Sequence, residues 1–294
     1  MLTRIRAGIL SMTQQQKQAG FTFLELAVVM IIIGLLFTTA VTGQSMLRAS
    51  RLRNALGDVA RYTQAFNNFQ DKYHALPGDF STATNLWGSD ARGTGCPVAT
   101  TGLPAMAPNP TLQKQTCNGN GDGFIGNGTG VAGGAQDFEV FRAWQQLADS
   151  GLLDGAVSNS FNGITGIGGS LNALLGINVP TTSLPGVGFT VMYLYSNASV
   201  PTANSANYFS FMHNHVFFLG GPATNSYTNG AFFTPAEAAN ADNKMDDGLP
   251  GSGNVQPPKN IVNPNCTTTN VPSTAKYTTT NQNPICSLIF ITNF

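Results

Sequence analysis

The chain has 294 residues, and its 14 basic and 14 acidic side chains give a formal net charge of zero. This balance gives no indication of a protein that binds nucleic acid or an anionic membrane surface. Only 10% of the residues are charged, against about a quarter in a typical soluble domain. Gly, Asn, Thr and Ser are frequent after position 90, which favours a loop-rich and β-rich region there.

The N-terminus begins with a polar, basic segment, residues 1–20, and continues with a nearly uninterrupted apolar segment, residues 21–43. The apolar segment contains one charge, Glu25, and no proline. Because about 20 apolar residues cross a bilayer as a helix, we expect residues 21–43 to be a transmembrane helix. A secretory signal peptide is the alternative, but its apolar core is usually only about 7–15 residues long.

The helical pattern continues beyond the apolar segment into residues 44–75. Its apolar residues recur at intervals of three and four, which is typical of an amphipathic helix: Leu52, Leu56, Val59, Tyr62, Phe66, Phe69 and Tyr73. Leu76-Pro77 then interrupts the pattern. The sequence therefore predicts one helix from about residue 21 to about residue 74, on the order of 80 Å long, whose second half packs on a globular head, residues 76–294.

The head has fewer strong signals. Residues 80–136 are expected to be irregular, and a helix is predicted at 137–150. Thr234 to Glu237 form a capping box that predicts a further helix. Strands are predicted by β-branched and aromatic runs at 187–196, 208–219 and 286–292. The fold class that follows is α+β, with a long N-terminal helix packed on an antiparallel sheet.

Four cysteines lie in the head, and none belongs to a zinc-type spacing. An even count in a chain that crosses a membrane suggests disulfides formed in an oxidising compartment. Three pairings are possible. We favour Cys96–Cys117 and Cys266–Cys286 because each closes a short loop, stabilising the fold by roughly 3 kcal/mol. Four unpaired buried thiols are the alternative.

Residues Asn118, Asn120, Asp122 and Phe124 lie in a segment that has the first half of a calcium-loop pattern, with alternating oxygen side chains and a turn glycine. The twelfth position of that pattern is Thr129 instead of glutamate. In a calcium site, Glu139 or Asp137 would supply the missing charge from the next helix. The alternative is a Gly/Asn turn beside Cys117, with no cofactor.

Two further groups carry chemistry-bearing side chains. The first consists of Asp242, Asp246 and Asp247, which precede Gly248 and Pro250 and which we interpret as a turn. The second consists of His213 and His215, which alternate on a predicted strand and therefore share a face; we expect them to be structural or surface histidines instead of metal ligands. Motifs for nucleophilic, nucleotide-binding or zinc-protease chemistry are missing from the sequence, so we expect no catalytic residues and no enzymatic activity.

Gly20-Phe21-Thr22-Phe23-Leu24-Glu25, followed by the long apolar run, closely resembles the type III signal of type IV prepilins and type II secretion pseudopilins. The resemblance requires glycine before the cut, an apolar residue after it and glutamate at the fifth mature position, and it covers about residues 12–75. Segments of the head, such as those around Asp79 and Trp144, also look like a loosely defined group of bacterial prepilin-type proteins.

The resemblance implies a pilin-like fold and a series of roles. A membrane prepilin peptidase would cut between Gly20 and Phe21 and methylate the new amine. Glu25 would guide assembly by meeting the Phe21 amine of a neighbouring subunit. The chain would lie in the bacterial inner membrane, with its N-terminus cytoplasmic and its head periplasmic, before an inner-membrane assembly platform adds it to a homo- or hetero-polymer with other pilins. A start at Met12 would give a leader of the length that the family commonly shows.

The implied function is a structural subunit of a type IV pilus or a type II secretion pseudopilus. The alternative is a membrane-anchored minor or tip pilin that acts as a binding or adhesion module. A carboxylate in an apolar membrane helix is costly unless it is paired or protonated, which independently supports a pairing role for Glu25. Arg48, Arg51 and Arg53 follow the apolar segment on the side assigned to the periplasm, against the positive-inside rule, and we expect them to pair with acids on neighbouring subunits.

Overall fold

The computed structural model describes residues 20–89, 116–126, 139–153, 173–194, 207–209, 214–223, 227–259 and 262–294, with the side chains of 38–42 excepted. Its helices are α1 (Phe23–Tyr73), α2 (Ala83–Trp87), α3 (Glu139–Ser150) and α4 (Pro235–Met245). Its strands are β1 (Gly188–Leu194), β2 (Asn214–Gly220), β3 (Val255–Gln256) and β4 (Leu288–Ile291). A short 3₁₀ turn covers Pro272–Thr274.

Helix α1 is a single element of 51 residues that runs through both the apolar and the amphipathic segments. It ends at Tyr73, where His74 takes a left-handed conformation with φ of 53° and Pro77 follows. The chain forms two compact units, divided between Leu47 and Arg48. Each unit therefore contains one part of this helix.

Residues 21–43 were predicted to cross a membrane. By length and apolar content together, none of the helices in the described part of the chain meets the requirements of a membrane-spanning helix. The transmembrane assignment of 21–43 is therefore not confirmed and stays a prediction.

The second part of α1 has the amphipathic character that its periodicity predicts. Its apolar residues are buried in the main core, apart from Tyr73, which is half-buried: Leu52, Leu56, Val59, Tyr62, Phe66 and Phe69. Polar residues occupy the remaining faces of the helix. The burial of this stripe explains why the helix keeps its structure as part of the head, because packing of an amphipathic face supplies most of a helix's stability.

The four strands form one antiparallel sheet in the order β1-β2-β4-β3. Successive side chains of a strand point to opposite faces, and both faces of this sheet are apolar. One face contributes to the main core with Phe189, Val191, Phe217, Leu219, Leu288 and Phe290. The other face forms a smaller cluster that includes Val216, Phe218 and Ile289.

An aromatic cluster joins α1, α3 and the sheet at the centre of the head. Phe66 of α1 lies 5.6 Å from Trp144 of α3 and 5.4 Å from Phe217 of β2, measured between ring centroids. Tyr62 lies 5.0 Å from Trp144. These contacts are edge-to-face, the geometry that aromatic quadrupoles favour.

The predicted α+β class and the antiparallel sheet are confirmed, with several differences in detail. The strand predicted at 208–219 occurs at Asn214–Gly220, and residues 210–213 of that prediction lie outside the described residues. The predicted irregularity of 80–136 is wrong at Ala83–Trp87, which forms α2. The two-residue strand β3 was not predicted. The helix starting after Thr234 is confirmed together with its capping box.

Candidate functional site: the N-terminal motif and the surfaces of the head

The beginning of α1 is organised by a capping box between Thr22 and Glu25. The Thr22 hydroxyl accepts a hydrogen bond from the Glu25 amide at 3.2 Å. In return, Glu25 Oε2 accepts from the Thr22 amide at 2.9 Å and from the Thr22 hydroxyl at 3.0 Å. The box satisfies donors that a helix start would otherwise leave unpaired. It also fixes the carboxylate of Glu25 at the N-terminal end of the helix, where negative charge is favoured.

The predicted cleavage bond, between Gly20 and Phe21, lies outside the helix and is exposed. The Phe21 side chain is 87% exposed. A Cβ atom placed on Gly20 would meet nothing within 4 Å, so the fold itself does not require glycine at this position. A requirement for glycine here would come from the enzyme that receives the bond.

Behind the motif, α1 is apolar on all sides, and its large apolar side chains are exposed. Each of the following residues is about half exposed or more: Phe23, Leu24, Leu26, Val28, Val29, Met30, Ile31, Ile32, Ile33, Leu35, Leu36 and Phe37. A helix that is apolar all round is normally buried in a large core or in a membrane. Contiguous exposed apolar surface of this extent marks an interaction surface.

Arg48 ties α1 to the head of the same chain. Its guanidinium forms a bidentate ion pair with Glu237 of α4, with Nη2 at 3.0 Å from Oε2, and lies 5.3 Å from the ring centroid of Phe232. Burial opposes the charge on Glu237, but hydrogen bonds from Arg48 and Thr234 outweigh it and lower the pKa of Glu237. The expectation that Arg48 pairs with a neighbouring subunit is therefore wrong: its acidic partner lies in its own chain.

Asp79, which follows α1 in a Pro77-Gly78 turn, is enclosed by a glycine-rich loop. Its Oδ1 accepts from the amides of Gly121 at 2.6 Å and Asp122 at 3.1 Å, and its Oδ2 accepts from Gly123 at 2.8 Å. Burial raises the pKa of Asp79 and these three amides partly offset the rise. The loop thus presents its N–H groups to a carboxylate of the protein itself.

Glu139, at the start of α3, makes a second connection of this kind. It accepts from the amides of Asn120 and Gly126, each at 3.0 Å. Burial raises the pKa of Glu139 to about 8, against the effect of those amides, and the nearby charges of Asp79 and Asp122 raise it further. The loop is therefore held from two sides, by the end of α1 and by the start of α3.

The side chains of Asn118, Asn120 and Asp122, the predicted calcium ligands, are engaged in hydrogen bonds within the protein. Asn118 Oδ1 accepts from the amide of Thr84 at 2.8 Å. Asn120 Nδ2 donates to Asp122 Oδ2 at 2.7 Å, and Asp122 Oδ1 accepts from the amide of Phe124 at 2.9 Å. Thr129 and Asp137 lie outside the described residues. The oxygens have the arrangement of a hydrogen-bonded turn, and calcium binding stays a prediction.

The acidic group Asp242, Asp246 and Asp247 spans the end of α4, with carboxylate oxygens within 4.8 Å of one another. Asp242 lies in the last turn of the helix, so its interpretation as a turn residue is wrong, whereas Asp246 and Asp247 follow the helix. Among the described residues, these three carboxylates are the one group of possible ligands that lie close enough together to hold a metal ion. Each carboxylate is nevertheless engaged: Asp242 accepts from the Tyr277 hydroxyl at 2.9 Å. Asp247 accepts from the amide of Leu249, and Asp246 accepts from the amide of Val255 at the start of β3. Burial raises the pKa of Asp242 to about 6, partly offset by hydrogen bonds from Tyr277 and Gly248.

His215 lies inside the head and joins three parts of it. Its Nε2 accepts from the Ile125 amide at 3.1 Å. Because that nitrogen is an acceptor, the proton resides on Nδ1, which donates to the Phe294 main-chain oxygen at 3.2 Å. Burial lowers the pKa of His215 to about 4. His215 is thus a structural histidine, and its predicted pair, His213, lies outside the described residues.

One of the two predicted disulfides lies within the described residues. Cys266 and Cys286 form a disulfide, as predicted. Cys117 is buried, and Cys96 lies outside the described residues, so the Cys96–Cys117 bridge stays a prediction.

Three contacts were not predicted from the sequence. The role of Asp79 as an acceptor of backbone amides was missed. A signal for it exists, because a run of alternating glycines can present several backbone N–H groups to one carboxylate. The pairing of Arg48 with Glu237 was missed because the two residues are 189 positions apart. The Thr22–Glu25 box carries the familiar T-x-x-E pattern and was detectable.

Comparison with known proteins gives one match, which falls on this N-terminal region. Residues 15–41 match the family described as the prokaryotic N-terminal methylation motif. No curated protein and no solved structure matches the chain. The matched segment contains Gly20, Phe21 and Glu25. The N-terminus of the chain therefore carries the prepilin-type cleavage and methylation signal of type IV pilins and pseudopilins.

Proposed function

We propose that this chain is a structural subunit of a type IV pilus or a type II secretion pseudopilus. Prepilin peptidase cuts it between Gly20 and Phe21 and methylates the new amine. The precursor is held in the bacterial inner membrane by its N-terminal helix, with the head in the periplasm. The assembly platform then transfers it into the filament, where it polymerises with copies of itself or with other pilins.

The observation that carries this proposal is the exposed apolar surface of α1 directly behind the cleavage motif. Between residues 23 and 37, twelve large apolar side chains are exposed instead of being buried in the core of the chain. Burying such side chains is worth about 1.5–3 kcal/mol each. A lipid bilayer supplies that burial before assembly, and the helices of neighbouring subunits supply it afterwards.

Glu25 supports the same proposal through its chemistry. In the unassembled subunit, its carboxylate accepts two hydrogen bonds from Thr22, which reduces the cost of keeping it in an apolar helix. Cleavage creates an amine on Phe21, the nearest positive charge that the motif can provide. An incoming subunit brings this amine to a carboxylate already in place, so the pair aligns each new helix in the filament core.

The head has a structural role in this proposal and no catalytic one. Two of its buried acids and its buried histidine accept hydrogen bonds from backbone amides: Asp79, Glu139 and His215. Groups held in this way stabilise a loop instead of receiving a substrate. The heads would cover the surface of the filament, and the arginine Arg48 would fix each head to its own helix.

The experiment that tests the function is the mass of the N-terminal peptide, measured on chain recovered from membranes and from the sheared surface fraction. We expect a peptide that starts with N-methylated Phe21 in both fractions for a pilus, and in the membrane fraction alone for a short pseudopilus. A peptide that starts after about residue 40 would mean that the apolar segment is an ordinary signal peptide, and an uncut leader would exclude assembly. Glu25→Gln is the matched variant, because it should be cut at Gly20 yet be missing from the sheared fraction.

A further inference from the structure

Most large apolar side chains in the described part of the head are buried, and three of the four exposed ones lie around one turn. In the described part of the unit that starts at Arg48, the exposed ones are Leu86, Met245, Leu249 and Val271. Met245, Leu249 and Val271 are 41%, 53% and 52% exposed. Met245 and Leu249 flank the acidic turn after α4, so this turn combines exposed apolar side chains with negative charge.

Val271 belongs to the same surface because two turns pack closely together. A Cβ atom placed on Gly251 would clash with the main-chain oxygen of Pro272. The chain at Gly251 therefore runs directly against the residue that follows Val271. Asp247 holds this turn in shape by accepting from the amide of Leu249 at 2.8 Å and from the hydroxyl of Ser252.

We name this surface the acidic patch and define it by Met245, Asp246, Asp247, Leu249 and Val271. Asp247 is exposed and Asp246 is half-buried, while Lys244 provides one positive charge beside them. The patch is therefore negative and apolar, a combination that fits a partner with exposed positive charge.

The same chain offers such a partner on α1. Arg51 and Arg53 are exposed, and neither guanidinium has an acidic partner among the residues that the structure describes. Two nearby arginines are different: Arg48 pairs with Glu237, and Arg61 pairs with Asp58 at 2.9 Å. The Arg51 backbone is held by a hydrogen bond from the Ser183 hydroxyl to its carbonyl oxygen, so this site presents two positive charges on a fixed helix.

We propose that the acidic patch of one copy docks on Arg51 and Arg53 of an adjacent copy in the filament. This inference rests on the proposed function and identifies a contact between heads and helices of neighbouring subunits. Charge complementarity selects the partner: the patch carries two carboxylates, and the helix carries two guanidinium groups that their own chain leaves without acids in its described part. A contact repeated in every subunit gains from multivalency even when each ion pair is weak.

Disulfide trapping tests the contact between different copies. Arg53→Cys and Leu249→Cys are made in separate full-length chains, which are expressed together and oxidised on intact cells. A linked peptide joining position 53 to position 249 can then form only between two chains. We expect this peptide in the sheared filament fraction, identified by mass spectrometry. As a control, Leu86→Cys replaces Leu249→Cys, because Leu86 is equally exposed but lies outside the patch.

Charge reversal tests its contribution to assembly. In the variant Arg51→Glu/Arg53→Glu, like charges would face the patch, and we expect the amount of sheared filament to fall by about tenfold or more. Adding Leu249→Lys, which places a positive charge in the patch and keeps the hydrogen bonds of Asp247, should restore at least part of the loss. Lys72→Glu/Lys276→Glu makes the same change in net charge at two other exposed positions and should leave filament yield unchanged.

The outcomes separate this contact from the proposed function. If wild-type filaments form with methylated Phe21, but neither trapping nor charge reversal has an effect, the contact is wrong and the function stands. If position 53 links to position 86 as readily as to position 249, the patch is not the docking surface. If the wild-type chain keeps its leader and forms no filaments, either in the sheared fraction or in the membrane fraction, both the function and the contact are overturned.

Discussion

Helix α1 contains two segments whose large apolar side chains lie in opposite environments. Between residues 23 and 37 the large apolar side chains are exposed, whereas between 52 and 69 they are buried in the head. The difference lies in their spacing. The second segment places its apolar residues on one face, which a single partner surface can cover, while the first is apolar on every side and needs a surrounding environment.

One continuous helix can therefore serve two partners. The second segment is satisfied within its own chain, through contacts such as those of Phe66 with Trp144 and Phe217. The first segment is satisfied only by something outside the described chain. Substitutions in the first segment should therefore affect processing and assembly, and substitutions in the second should affect the stability of the head.

The largest effect is expected at the boundary before the first segment. Gly20→Leu should reduce processing by at least about 100-fold, because a small misplacement of the scissile bond in an enzyme has effects of that order. Its fold should be unaffected, because nothing lies within 4 Å of a Cβ at this position. The measurement is the fraction of chain with the leader removed. Normal processing of this variant would mean that the enzyme does not read the glycine.

Truncating one large apolar side chain to alanine in each segment compares the two segments directly. Phe66→Ala should lower the free energy of unfolding of the head by about 3–5 kcal/mol, since it leaves a cavity among packed aromatic rings. Ile32→Ala should leave that free energy unchanged, because the Ile32 side chain is 50% exposed, but it should weaken filaments. Urea denaturation of both purified full-length chains in detergent measures the difference. Equal effects on the head would contradict the separation.

The pH dependence of the head tests the buried histidine. Because the pKa of His215 is lowered from near 6.5 to about 4, the unfolded chain binds a proton in this range that the folded chain does not. The free energy of unfolding should therefore fall by about 3 kcal/mol as the pH drops from 6.5 to 4. Glu139 contributes with the opposite sign, since its raised pKa makes the folded chain the better proton binder between about 4.5 and 8.

The contribution of His215 is obtained as a difference between the unfolding free energies of two chains. At each pH the unfolding free energy of His215→Gln is compared with that of the wild type, so that the contribution of Glu139 cancels. The difference between the two chains should shrink on acidification. A constant difference from pH 7 to pH 4 would show that the pKa of His215 is the same in the folded and the unfolded chain, and would contradict its lowering by burial.

The smallest expected effect concerns the ion pair between α1 and α4. Arg48→Gln should lower the unfolding free energy of the head by about 1 kcal/mol, because the pair is partly exposed, and the loss should diminish in high salt. Arg53→Gln is the matched control and should not change the stability of the isolated chain. An equal loss for both would indicate a general effect of helix charge instead of the pair.

The sequence predicted those parts of the fold that depend on local pattern. The spacing of Leu52 to Tyr73 predicted the buried stripe, the β-branched and aromatic runs predicted three strands, and Thr234 to Glu237 predicted the start of α4. The capping box between Thr234 and Glu237 was predictable because all of its donors and acceptors lie within four residues.

Features that depend on tertiary contacts were not predicted. The two-residue strand β3 forms only because β4 is available beside it, and its own residues carry no strand signal. The acceptor role of Asp79 depends on a loop 42 to 44 positions away. Calcium binding was inferred from the order of oxygen side chains, but order alone does not determine whether those oxygens face an ion or, as for Asn118 and Asp122, backbone amides.

The disulfide between Cys266 and Cys286 has a consequence for proteolysis. The bond encloses the exposed turn at Pro272–Thr274, the kind of site that proteases cut first. A cut in this turn would leave the two fragments covalently joined, and strand β4 would remain paired in the sheet. Such a nicked subunit would migrate as an intact chain on a gel until the sample is reduced, so a filament could age by many cuts without losing a single subunit.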